Sequence, residues 1–238
     1  CFGLATLVFI VMACSQKQND SEHNPNNDLT QEVVNDYQDT LEAFFNTVSD
    51  TAAIWIRTKL ENFNPETRYV VHGKQLYSSE LLPNIYVHTH FKPLWFHHAN
   101  DTSWARSMLR FLEDLTYHGL QPNDYHFEVL NELIGGEDLI SENMMDGFSL
   151  AEIDMLLTDA YLIAASHLYN GKVDPNTLRA QWGIQRDKPF LKLDEKLLNL
   201  RNYENLAVFM QQFYPNKHGY RAMVRTAKQI TKRIGQAT

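Results

Sequence analysis

With 44% apolar residues, a chain of 238 residues can bury a sizeable core, which excludes disorder throughout. The net charge of -8, with basic residues scattered except near the C-terminus, argues against a nucleic-acid partner. The two cysteines, Cys1 and Cys14, both precede residue 15. The body of the chain can therefore hold no disulfide framework, thiolate metal site or cysteine nucleophile.

The N-terminal segment has the composition of an export signal. Residues 2–13 form an uncharged apolar run, which is too short for a comfortable membrane span and typical of a signal-peptide core. The run ends in Val-Met-Ala-Cys, which resembles a bacterial lipobox, whose cysteine thiol receives a diacylglycerol before cleavage. We predict a signal core over residues 1–13, lipidation of Cys14 and a polar tether over 14–28. An ordinary secretory signal or a buried apolar helix is the alternative.

Helical periodicity dominates residues 29–235, which predicts a mainly α domain, irregular, with long loops and at most a short strand region. That strand region is expected at Tyr69-Val70-Val71, and Pro83 is interpreted as a turn residue. The predicted helices, in chain order, are 29–62, 104–115 with a cap at Asp101 or Thr102 and an end at Gly119, 125–134, 149–170, 203–213 and 219–234.

The helix predicted at 149–170 has the clearest pattern. Ser149 with Glu152 three residues later suggests a capping box, an apolar face follows, and Asn170-Gly171 ends the helix. Before it, Pro93 is expected to stop any helix within the aromatic segment 85–95. After it, residues 176–192 are expected to be irregular around Trp182.

Three segments carry distinctive motifs in a defined order. The first is Pro93-Leu94-Trp95, followed by the helix that runs to His118 and by Gly-Leu-Gln-Pro-Asn-Asp-Tyr-His at 119–126. The second is 156–175, which ends in Tyr-Asn-Gly-Lys-Val-Asp-Pro and is followed by Trp182. The third is 206–215, which is followed by Tyr220. Together they resemble the scaffold domain of the large periplasmic L,D-transpeptidases, most strongly over residues 80–232. These enzymes cross-link peptidoglycan stem peptides through a cysteine acyl-enzyme.

The resemblance implies a bracing role and no chemistry within this chain. The family's catalytic domain is expected to carry a Ser-His-Gly-Cys-x-Arg-like signature, in which the cysteine is the nucleophile. Here His72-Gly73 is followed by Lys74 and His218-Gly219 by Tyr220, so neither pair precedes a cysteine. We therefore expect no catalytic, cofactor-binding or metal-binding residue, and no activity from the chain alone.

The resemblance also implies partners and a location. Because the chain begins with Cys1 instead of Met, and because peptidoglycan-binding and catalytic domains follow the scaffold in larger family members, we expect a fragment of a longer protein. The expected partners are those missing domains, peptidoglycan through the parent enzyme, and the lipid bilayer through acylated Cys14. The expected location is the periplasm, as a membrane-anchored lipoprotein of a bacterial cell envelope. The alternative is a stand-alone helical periplasmic lipoprotein that acts as an adaptor or a wall-binding module.

Other polar clusters favour structural roles. The histidines His88, His90, His97 and His98 suggest a zinc site of a metal-dependent hydrolase, but no carboxylate or cysteine is placed to complete tetrahedral ligation. Asp154 and Asp159 are five residues apart on one helix, about 140° around its axis, so they form no natural acid pair.

Asp159 is expected to be a buried, hydrogen-bonded group or an ion-pair partner of a cation such as Arg179. The C-terminal helix has a basic face, which is either solvated or in contact with anionic wall polymer or the next domain. Its residues are Arg221, Arg225, Lys228, Lys232 and Arg233.

Overall fold

The computed structural model of the chain describes residues 25–62, 68–98, 101–136, 146–172 and 191–236. The predicted signal core, Cys14, Arg179 and Trp182 lie outside these residues. The chain divides into two units, Cys1–Asp39 and Thr40–Thr238. In the first unit the described residues, 25–39, are helical. The packing and the site described below belong to the second unit.

Helices make up most of the described residues, which confirms the predicted mainly α fold. In chain order the elements are α1 (Pro25–Glu61), β1 (Val70–Val71), β2 (Lys74–Gln75), α2 (Leu82–His88), α3 (Ser103–Asp114), α4 (Phe127–Ile134), α5 (Gly147–Asn170), α6 (Leu193–Leu198), α7 (Leu206–Met210) and α8 (Tyr220–Gly235). Short 3-10 turns lie at Leu115–His118, Pro122–Tyr125, Leu200–Asn202 and Gln211–Phe213. No helix among the described residues combines the length and the apolar character needed to cross a bilayer.

The core is organised around α5, of whose 24 residues 17 are buried. It packs against α2, α3, α4 and α6. The buried residues of α5 also include three acidic side chains, those of Glu152, Asp154 and Asp159. The buried surface of α5 is therefore wider than the single apolar face expected from the sequence.

The start of α5 differs from the prediction. The side chain of Asp146 caps the helix, because its Oδ1 accepts a hydrogen bond from the backbone N–H of Ser149 at 2.7 Å. The capping box of Ser149 and Glu152 is therefore wrong. Gly147, the first residue of α5, lies so close to α1 that a Cβ there would stand 2.5 Å from the Cβ of Thr51.

Helix α2 was not expected, since Pro83 is interpreted from the sequence as a turn residue. The structure places Pro83 in the first turn of α2, where a proline costs little because the N–H groups there have no partner within the helix. Helix α2 ends at His88, and His90 and Phe91 then adopt positive φ values of 54° and 64°, so the helix ends before the chain reaches Pro93.

The remaining predicted helices are close to those observed. Asp101 Oδ1 accepts a hydrogen bond from the backbone N–H of Ser103 at 3.1 Å, and the segment that follows α3 ends at Gly119 with φ of 75°. The helix predicted from 203 begins later, at Leu206, because the Asn205 side chain caps it through the N–H of Val208.

Candidate functional site

Three carboxylates of α5 each bind a segment that comes much earlier in the chain. One of them is the carboxylate of Asp154. It is fully buried. Its Oδ1 accepts a hydrogen bond from the hydroxyl of Tyr86 at 2.6 Å. Its Oδ2 accepts two, from the backbone N–H of Leu94 at 2.8 Å and of Trp95 at 2.9 Å. Asp154 therefore joins α2 and the Pro-Leu-Trp motif to the central helix.

Thr158, one turn along α5, extends this network. Its Oγ1 accepts a hydrogen bond from the indole N–H of Trp95 at 3.1 Å, lies 3.0 Å from the hydroxyl of Tyr86, and donates to the carbonyl of Asp154. Burial raises the pKa of Asp154 to about 6, and the three donors oppose that shift. Burial also raises the pKa of Tyr86 well above its ordinary value, and the neighbouring Asp154 adds to that shift. The shared proton therefore stays on the tyrosine.

Asp159 holds a second segment. Its Oδ1 accepts a hydrogen bond from the backbone N–H of Ser78 at 2.6 Å, and its Oδ2 accepts one from that of Tyr77 at 3.1 Å. The same Oδ2 lies 2.7 Å from Nε2 of His126, which is itself buried and adopts a positive φ of 61°. The expectation of a buried, hydrogen-bonded Asp159 is confirmed, and the suggested partner Arg179 lies outside the described residues.

Glu152 binds the short hairpin. Its two carboxylate oxygens lie 3.3 Å from Nζ of Lys59 and 3.0 Å from Nε2 of His72. His72 and Gly73 form the two-residue loop between β1 and β2, with φ values of 45° and 70° that match a type I′ turn. The first of the two His-Gly pairs is therefore a hairpin loop anchored to α5.

These three carboxylates stabilise the fold. Each is buried, and each of its oxygens already has a partner from the backbone, a tyrosine, a histidine or a lysine. An acid or base catalyst needs an oxygen that can reach a substrate. The arrangement around α5 therefore fixes the positions of segments and offers no free carboxylate for chemistry.

Two of the four histidines of the suggested zinc site contact other groups. His88 has its Nδ1 2.6 Å from the carbonyl of Asn84 within α2, while His98 has its Nδ1 3.7 Å from a carboxylate oxygen of Glu42. Burial lowers the pKa of His97, which favours its neutral form. Across the described ranges no group of three or more His, Cys, Asp or Glu side chains could hold a metal ion.

A cleft of about 500 Å³ lies between α8 and the 3-10 turns before it, and we call it the α8 cleft. Its lining residues are His118, Gln211, Tyr214, Tyr220, Arg221, Val224, Arg225 and Lys228. Three of the five cations of the predicted basic face thus line one concave surface, while Lys232 and Arg233 lie outside it. The aromatic side of the cleft could not be predicted from that face, because His118 and Tyr214 come from other segments.

The aromatic side is a compact cluster. Nδ1 of His118 lies 2.6 Å from the hydroxyl of Tyr220, and the ring of His118 lies 4.9 Å from that of Tyr214. Burial raises the pKa of Tyr214 to about 12. Burial, followed by the charge of Lys228, lowers the pKa of His118. The aromatic wall is therefore uncharged near neutral pH, and the charge of the cleft comes from α8.

A second cleft, of about 480 Å³, lies beside the hairpin and includes Lys74, Asp124, His126, His167 and Lys172. Lys172 forms an ion pair with Asp124, and His126 is bonded to Asp159. Most of its charged groups therefore already have partners, which leaves the α8 cleft as the better candidate for a binding site.

Comparison with known proteins identifies one family. Neither a curated protein nor a solved structure matches the chain. The Scaffold domain family matches residues 80–226, from the residues just before α2 into α8. The matched region contains Asp154 and Asp159 and most of the α8 cleft. Since the match spans more than half of the chain, the chain belongs to the Scaffold domain family.

Proposed function

We propose that the chain is the non-catalytic scaffold region of a cell-wall L,D-transpeptidase, an enzyme that cross-links peptidoglycan. The observation that carries the scaffold role is the network around α5. Its buried carboxylates are fully used in holding earlier segments of the chain, within the region that the Scaffold domain family matches. The motif resemblance supports the link to L,D-transpeptidases.

The network suits a bracing domain because it ties distant parts of the chain to one helix. Asp154 joins Trp95 and α2 to α5, and Asp159 joins Tyr77 and Ser78 to α5, across separations of 59 to 82 residues. Hydrogen bonds to buried carboxylates are stronger than neutral ones, and losing one partner leaves buried groups unsatisfied. A domain held in this way keeps a defined shape, against which attached catalytic and wall-binding domains can be positioned.

The proposal predicts that the chain acts within a longer enzyme. An antibody raised against residues 40–236 should detect a protein heavier than 27.7 kDa in the source organism, and its peptides should include a His-Gly-Cys sequence by mass spectrometry. Disrupting that reading frame should lower the content of L,D cross-links in the cell wall. The purified 238-residue chain, as the control, should form no cross-links between wall peptides.

Three results would contradict this proposal. A native product with the mass of the chain itself would favour the stand-alone adaptor, and so would an unchanged level of L,D cross-links after disruption. Cross-linking of wall peptides by the purified chain would defeat the non-catalytic assignment as well, since it requires a nucleophile that we do not assign.

The proposal includes a lipid anchor at Cys14 and a periplasmic location. Its support is the sequence alone, an apolar run that ends at a cysteine and is followed by polar residues. Labelling of the protein with radioactive palmitate should be lost in Cys14→Ala. Cys1→Ala is the matched control, because it removes the other cysteine of the chain and should keep the label. Equal labelling of the wild type and Cys14→Ala would refute the anchor.

A further inference from the structure

We propose that the α8 cleft binds a short acidic peptide, with Arg221 and Arg225 as its carboxylate receptors. The proposal goes beyond the scaffold role and holds equally for a stand-alone protein, because it rests only on the composition and shape of this cleft. Its volume of about 500 Å³ lies within the range of small-ligand sites in proteins.

The cations of the cleft supply the first argument. Arg221 and Arg225 are four residues apart on α8, so their side chains emerge one turn apart on the same side of the helix, about 5–6 Å from each other at Cβ. Both are exposed. Among the residues that the structure describes, neither forms an ion pair, whereas Lys228 is paired with Asp114. Two guanidinium groups are thus left for carboxylates supplied by a ligand.

The charge around them supplies the second argument. The segment 220–235 contains no acidic residue, although the chain as a whole has a net charge of -8. Basic character is therefore concentrated at this helix. Arginine is the side chain best suited to carboxylates, since its planar fork can donate two parallel hydrogen bonds to them.

The remaining walls favour a peptide over other anions. The side chain of Gln211 offers both a donor and an acceptor, which is the complement of a peptide group. Tyr214 and Tyr220 add aromatic surface for the apolar part of a ligand. Nucleic acids need many phosphate contacts, and the two unpaired arginines of this cleft do not provide them. A concave cleft also does not fit a flat membrane surface.

The spacing of the arginines suggests the probe. Side chains two residues apart in an extended peptide point to the same side and are separated by about 6.6 Å along the chain. Acetyl-Glu-Ala-Glu-amide therefore presents two carboxylates at a distance close to that of the two arginines. Acetyl-Gln-Ala-Gln-amide is the matched neutral peptide. Isothermal titration calorimetry of the full 238-residue chain with each peptide measures the binding.

We expect saturable binding of the acidic peptide at one site, with an affinity at least about tenfold above that of the neutral peptide. Arg221→Gln and Arg225→Gln should each weaken binding about tenfold. Arg233→Gln is the matched control, since it removes the same charge from the same helix outside the cleft, and it should leave the affinity unchanged. Gln211→Ala should weaken binding without changing its dependence on salt.

The proposal is overturned if the neutral peptide binds as tightly as the acidic one, or if Arg233→Gln weakens binding as much as Arg225→Gln. It is also overturned if inorganic phosphate or phosphatidylglycerol vesicles bind with the same dependence on the two arginines while the acidic peptide does not. Near-UV circular dichroism of each variant tests whether the fold is kept. Because the substituted arginines are exposed, we expect unchanged spectra.

Discussion

Replacing the two buried aspartates of α5 by asparagine should destabilise the protein to very different extents. Asp154 and Asp159 are both fully buried, lie on one helix and each make three hydrogen bonds through the carboxylate. They differ in how the donors are shared between the two oxygens. An asparagine keeps one oxygen and replaces the other with an NH₂ group, which donates. The loss of stability therefore depends on which oxygen each donor binds.

At position 154 the amide of an asparagine can keep all three hydrogen bonds. Both backbone donors, from Leu94 and Trp95, bind Oδ2, and this oxygen can be kept in Asp154→Asn. The group at Oδ1 is the hydroxyl of Tyr86, which can turn to accept from the new NH₂. The substitution also removes a buried charge, whose desolvation raises the pKa of Asp154 to about 6. We expect the free energy of unfolding to change by less than about 1 kcal/mol.

At position 159 the amide of an asparagine cannot keep both backbone hydrogen bonds. Ser78 donates its backbone N–H to Oδ1 and Tyr77 donates to Oδ2, so the NH₂ of Asp159→Asn must face a backbone donor in either orientation. Each buried donor that loses its acceptor costs about 1–3 kcal/mol. In the orientation that puts the NH₂ at the Oδ2 position, Nε2 of His126 also loses the carboxylate oxygen that it contacts. We expect a loss of about 3 kcal/mol in the free energy of unfolding.

Urea unfolding at neutral pH, followed by circular dichroism and extrapolated to zero denaturant, measures both values. Asp154→Ala tests the sensitivity of the assay, because it leaves the N–H groups of Leu94 and Trp95 without an acceptor and should cost about 4 kcal/mol. Equal losses for the two asparagine variants, or a larger loss at position 154, would refute the reasoning from the donor distribution.

Two further predictions concern pH and packing. Burial raises the pKa of Asp154 from 3.8 to about 6. Between these two pH values the folded state keeps a proton on Asp154 that the unfolded state releases. The contribution of Asp154 to stability therefore falls as the pH rises from about 4 to about 6. Urea unfolding over that range should show that Asp154→Asn gains stability relative to the wild type as the pH rises, and a constant difference would contradict the assignment. Gly147→Ala places a Cβ 2.5 Å from that of Thr51 and should lower the free energy of unfolding by about 2 kcal/mol. Gly136→Ala, whose Cβ meets nothing within 4 Å, is the control, and an equal effect of the two in thermal unfolding would argue against the close approach of α1 and α5.

Much of the helical architecture could be predicted from periodicity, whereas details at the helix ends could not. The segment that becomes α5 is identified by its apolar residues, but its cap is not, because Asp146 lies outside the Ser-x-x-Glu pattern. Helix α2 escaped prediction because Pro83 can either end a helix or lie in its first turn. The His72-Gly73 pair could have been identified as a hairpin loop, since both residues tolerate a positive φ there.

The partners of the buried carboxylates could not be predicted. Five donors to Asp154 and Asp159 come from 59 to 82 residues earlier in the chain, and four of these are backbone N–H groups, which leave no trace in the sequence. The α8 cleft is an intermediate case. The spacing of Arg221 and Arg225 is visible in the sequence, but the aromatic wall depends on how the 3-10 turns pack against the helix.

The late position of α5 in the chain has a consequence for biosynthesis. Ribosomes make the N-terminal half first, so Tyr77 and Trp95 are synthesised well before the aspartates that will bind them. Until α5 is complete, the indole of Trp95 has no buried site and stays available to chaperones and proteases. Such long-range contacts slow folding, because the intervening chain must be ordered before they form. A chain that stops short of residue 160 therefore lacks the complete helix against which the indole of Trp95 is buried.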